Sequence, residues 1–191
     1  MASQPFQDPD DVARRLYSAE IRLEQLLKIA SPWTRAEDAA ERTRLAQEFF
    51  FHLIGAVEAV AHIINERRGL MKTGEVNIRT VCTRLPAGDK VLLALGGLCQ
   101  QVRKTDVPRD PYGEEGLIFR AYVYRHMVTH RQMSRLVFRI GSEPAASLLI
   151  DPRDSSAPVP EANHSKRPVD DELRHMLAVV RGRCEEALRA L

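Results

Sequence analysis

The sequence predicts an all-α protein, an antiparallel up-and-down bundle of about five to six helices with a short β-hairpin near residues 136–150. Three observations lead there. Apolar residues recur every three or four positions over most of the chain, helix start and stop signals separate these stretches, and the connections between them are short. The 191 residues, 44% hydrophobic and 28% charged, suffice for one soluble core without staples.

Asp8-Pro9 supplies a cap and a first helical residue, and Val12, Leu16, Ala19, Leu23, Leu26 and Ala30 follow as one stripe, so a first helix is expected over Pro9 to Ala30. Ser31-Pro32-Trp33 ends it. Thr34-Arg35-Ala36-Glu37 reads as a capping box opening a second, longer helix with the stripe Leu45, Phe49, Leu53, Val57, Val60, Ala61 and Ile64. Phe50, Phe51, Ile54 and Ala56 widen that face, which predicts packing on two sides. Arg67-Arg68-Gly69 is a suitable C-terminus.

Val76 to Leu85 reads as a short helix, and Asp89 caps another from Lys90 to about Lys104 whose Gly96-Gly97 pair implies close packing or a kink. A helix from Glu114 to about Met133 comes next. Residues 136–150 alternate like a hairpin, 151–170 read as a proline-bearing linker, and 171–191 form a C-terminal amphipathic helix with Leu173, Met176, Leu177, Val180, Cys184 and Leu188 on one stripe. The expected domain organisation is therefore a bundle over 1–150, a linker, and a terminal helix.

Several function classes recede on composition. A net charge of +2 is too small for nonspecific nucleic-acid binding, although Arg120, Arg125, Arg131, Arg135 and Arg139 meet no acidic residue in their own stretch. That stretch is either a cationic patch or a solvated helix face. No apolar run approaches a membrane span, and the first eleven residues have no secretory pattern, so a cytoplasmic protein without membrane contact is expected. Scarce lysine beside abundant arginine suggests a GC-rich bacterial genome. Cys82, Cys99 and Cys184 are odd in number and widely spaced, which predicts three thiols and neither a disulfide framework nor a zinc ribbon.

The stretch Phe119 to Arg131 concentrates the chemistry, because Arg125, His126 and His130 interrupt an apolar helix. An Arg-x4-His spacing is expected by chance at roughly 0.7 per chain of this composition, so the context has to carry the reading. Leu117, Ala121, Tyr124 and Val128 make one apolar stripe, while Phe119, Val123 and Met127 make a second bordered by His126 and His130. A helix apolar on two sides is central or shared with a partner. Arg125 and His130 diverge by about 140° on a straight helix. Either arginine's length closes that gap, or two copies complete the site together.

Arg125-His126-Met127-Val128-Thr129-His130, late in a helical bundle and preceded by Phe51 to Ala59 on a long early helix, resembles the HEPN superfamily, the higher eukaryotes and prokaryotes nucleotide-binding domain. The hallmark is an arginine, a polar residue that is often Asn, a few variable residues and a histidine; His126 stands at the polar position. The resemblance covers residues 34–133. It implies a symmetric homodimer whose motifs face each other in a cleft, acting on RNA or a nucleotide as a metal-independent endoribonuclease without a cofactor. Cleavage of that kind needs a base for the ribose 2'-OH, an acid for the leaving oxygen, and a cation at the phosphorus. His130 suits proton transfer near neutrality, Arg125 suits the phosphate, and His126 suits a second proton shuttle or a hydrogen bond. Tyr122 is read either as a base-stacking surface or, more simply, as core.

Other readings compete. Arg125 could form an ordinary ion pair with Glu58 or Glu66, with His126 and His130 as interface residues. His126 and His130, four apart, could chelate a metal with His52 or His62, the three-histidine pattern of bundles resembling the DinB family. A noncatalytic dimeric module with a regulatory protein partner is a third class.

Overall fold

In a computed structural model that describes residues 9–29, 36–71, 75–99, 113–129 and 169–191, the described chain forms a helical bundle of six α-helices and one 3-10 turn, with no strand among the described residues. The hairpin expected at 136–150 lies outside them. Helix α1, Pro9–Leu27, carries Asp10 and Asp11 in its first turn, where they complement the helix dipole, and buries Val12, Leu16, Ala19, Leu23 and Leu26. Helix α2, Ala36–Arg68, ends on Arg67 and Arg68, and Gly69 follows at φ 59°, a left-handed conformation that terminates helices at low steric cost.

The two-sided packing expected of α2 is observed, since it lies against α1 on one flank and against α5 (Glu114–Thr129) and α6 (Val169–Ala190) elsewhere. Phe49, Phe50, Leu53, Ile54 and Val57 are all buried. Each such side chain contributes roughly 1.5–3 kcal/mol of apolar burial. No uninterrupted apolar run is present, yet Ala40–Arg68 is long enough to cross a membrane and contains an 18-residue window of mean hydropathy 1.2. Its most apolar window is 61% buried inside the bundle, and a core helix packed on several flanks acquires that composition for this reason.

Two short helices bridge the middle of the chain. Helix α3, Ile78–Arg84, begins with a reciprocal capping box: the Thr80 N–H donates to the Asn77 side chain at 2.9 Å, and the Asn77 N–H donates to the Thr80 hydroxyl at 3.1 Å. Helix α4, Lys90–Leu95, is capped by Asp89, which accepts from the Val91 N–H at 2.8 Å. The glycine pair ends α4 instead of kinking a longer helix, because Gly96 takes φ 50° and Gly96–Cys99 wind as a 3-10 turn. A Cβ on Gly97 would stand 3.0 Å from Ile118 Cδ1, so the missing side chain lets α5 approach.

One expectation is overturned here. Cys82 and Cys99 are joined in a disulfide, and only Cys184 is a free thiol. The partners are 17 residues apart, and the fold brings α3 and the 3-10 turn together with a Cα–Cα distance of 5.6 Å, inside the range a disulfide requires. No short cysteine motif could reveal such a contact.

Helix α6 packs against α1, α2, α4 and α5, and its buried Leu173, Met176, Val180, Cys184 and Ala187 belong to the same core cluster as α1 and α2. Ion pairs fasten it along its length. Arg42 reaches Asp170 at 2.9 Å, Arg181 reaches Glu20 at 2.9 Å, and Arg183 makes a two-pronged contact with Glu114 at 2.7 and 2.9 Å.

Candidate functional site

Helix α5 runs through the bundle, with Leu117, Ile118, Phe119, Ala121 and Tyr124 all buried. Two of its arginines occupy different environments. Arg120 is 1% exposed and donates from Nε and Nη2 to Glu172 Oε1 at 2.8 and 2.5 Å, with Glu172 itself 1% exposed. It therefore belongs neither to a cationic patch nor to a solvated face. The sequence stretch around it contains no acid, but α6 delivers one from 52 residues away.

Arg125, five residues later, is half-buried and lies at the seam of α5 with α2. Of the two carboxylates expected as partners, Glu58 is its electrostatic neighbour, whereas Glu66 is exposed further along α2. Glu58 Oε2 accepts the Ile78 backbone N–H at 3.1 Å, which ties α2 to the start of α3. Burial raises the proton affinity of the Glu58 carboxyl, while the Ile78 hydrogen bond and the Arg125 cation pull in the opposite direction. Desolvation wins.

Tyr122 completes the cluster. Its hydroxyl is enclosed and has no hydrogen-bond partner among the described residues. Burial pushes its ionisation well above the ordinary tyrosine range, with Glu58 adding to the effect and Arg125 opposing it. An enclosed hydroxyl places Tyr122 with the core and not on a stacking surface. The Cys184 thiol, buried on α6, is pushed up to about 12 by desolvation and stays neutral and unreactive.

No family model matches the chain, and no curated protein or solved structure matches it significantly.

Of the three residues expected to carry chemistry, Arg125 is placed in full. The backbone of His126 lies within α5; its side chain, and His130 altogether, are outside the described residues. His52 and His62 are ten positions apart on α2, which separates them by about 15 Å along the helix axis, so both cannot serve one metal. His52 faces Arg15, Arg22 and Glu48: partial burial lowers its pKa, the two arginines lower it further, and Glu48 opposes them. Among the described residues no three His, Cys, Asp or Glu side chains stand close enough to hold a metal ion.

The arrangement joins a cation, a carboxyl with raised proton affinity and a neutral phenol at the edge of an apolar core. A guanidinium in such a place attracts an anion in two competing forms. Glu58 can supply the charge from within, or a ligand can supply it from outside while Glu58 takes up a proton. Glu58 was legible only as one of two carboxylates, with Glu66, that could neighbour Arg125. The Ile78 tether and the Arg120–Glu172 pair were not, because both depend on contacts between distant segments.

Proposed function

We propose that the protein is a HEPN-like RNA- or nucleotide-binding protein of the cytoplasm, in which two copies bring Arg125 and His130 into one composite cleft that cleaves RNA without a metal. The observation that carries this reading is the setting of Arg125, half-buried on the central helix beside a carboxyl whose proton affinity is raised by burial. A phosphate approaching Arg125 meets a competitor that gives up its charge more readily than an exposed glutamate. In this reading Arg125 clamps the phosphate, His130 moves the proton of the ribose 2'-OH, and His126 donates to the leaving oxygen or orients it. The antiparallel up-and-down order of the helices and the hairpin near 136–150 belong to the same proposal.

The experiment is RNA cleavage by the purified protein in EDTA, with sedimentation to follow the dimer. Arg125→Ala and His130→Ala should each abolish cleavage while the dimer persists. Full activity in both variants sinks the assignment. Binding of a labelled oligoribonucleotide that Arg125→Ala weakens, without turnover, would reduce the reading to a binding module.

A further inference from the structure

The disulfide occupies a telling place. Cys82 sits on α3 and Cys99 closes the 3-10 turn, and both are half-buried, whereas Cys184 is fully enclosed. Helix α3 has seven residues, too few to persist by itself. What holds it is its capping box, the burial of Ile78 and Val81, the Ile78 N–H on Glu58, and the bond to Cys99. The partner turn is in turn seated on α5, where Gly97 meets Ile118. The sulfur bridge thus joins the element that binds Glu58 to the element that supports the helix of Arg125.

We propose that Cys82–Cys99 is a reversible thiol–disulfide site that sets how firmly α3 is held against Glu58. A dithiol reductant, small or protein-borne, attacks one of the two sulfurs through its thiolate and forms a mixed disulfide while the other cysteine leaves as a thiol. The reductant's second thiol then displaces the remaining cysteine. Two electrons and two protons pass to the protein, and the reductant departs as its own disulfide. In a reducing compartment the pair rests as two thiols and closes by the reverse exchange with a disulfide-form oxidant, which leaves as a dithiol, and in an oxidising one it stays shut. The closed form cross-links a loop whose ends are 17 residues apart, which restrains local opening of α3 by roughly a hundredfold relative to the reduced chain. This holds whether or not RNA is the ligand.

The test compares the oxidised and reduced full chain. Non-reducing peptide mapping of the oxidised protein should find Cys82 linked to Cys99, with Cys184 free. In dithiothreitol, Cys82 and Cys99 should become alkylatable in the folded protein while Cys184 stays protected. The amides of Ile78–Arg84 should then exchange at least about tenfold faster, with α1 unchanged. A C82S/C99S variant should match the reduced protein in either buffer. Should that variant fail to fold, the wild-type comparison decides alone. Free thiols at both positions after oxidation, a bond that resists reductant until the protein unfolds, or α3 exchange that ignores reduction would each overturn the proposal.

Discussion

Arg120 and Arg125 stand five residues apart on one helix, yet the first is sealed against Glu172 between α5 and α6, and the second is half-open beside Glu58 between α5 and α2. The difference lies in what the neighbouring helix supplies. At the first seam the carboxylate accepts two N–H groups and is enclosed with its partner. At the second, the carboxylate also accepts a backbone N–H from α3, and burial favours its neutral form. A sealed pair fixes structure, whereas at the second seam burial and the Arg125 cation pull the Glu58 carboxyl in opposite directions.

The comparison can be broken most forcefully at the sealed seam. Arg120→Met should strand a buried carboxylate and lower stability by about 3–5 kcal/mol in urea unfolding, while the double change Arg120→Met with Glu172→Leu should recover most of that loss. A small effect of the single change would mean that the pair is not closed in solution. Asn77→Ala removes the side chain that caps α3 and should cost about 1 kcal/mol, with faster exchange confined to α3.

The open seam is sharpened by pH. Because the folded state raises the Glu58 pKa, its contribution is fully present below the unfolded value and is lost as pH rises through the raised folded one. Stability relative to Glu58→Gln should therefore fall across that window, and a flat difference would remove Glu58 from the account. Arg125→Met takes away the cation that opposes desolvation, so the Glu58 carboxyl, followed by NMR, should titrate at still higher pH. The smallest effect is expected at the surface. Arg44, which pairs with Glu41 and Glu48 in exposed positions, should tolerate Arg44→Ala with no measurable shift of the urea midpoint.

Local signals were legible in the sequence. The stripes of α1 and α2 and the Asp89 cap follow from spacing and backbone preference, and the fold honours them, whereas Gly96-Gly97 ends α4 where a kink or close packing within a longer helix was expected. The ends of helices drifted by a few residues, as for α1, which stops at Leu27 and not Ala30. What spacing could not convey was pairing between distant segments. Cys82 with Cys99 and Arg120 with Glu172 are of this kind, and so is the Glu58–Ile78 tether. For the candidate site, the sequence offered Glu58 or Glu66 as neighbours of Arg125, and the choice of Glu58, like the enclosure of the Tyr122 hydroxyl, required the tertiary packing.

Helix α6 also bears on how the protein is made. Its apolar face completes the core shared with α1, α2 and α5, and its Glu172 accepts two hydrogen bonds from the buried Arg120. A nascent chain that has exposed everything up to α5 lacks that apolar face and the Glu172 carboxylate. Stable closure must await residues 169–190 leaving the ribosome, so until they emerge the growing polypeptide stays open to chaperones and proteases.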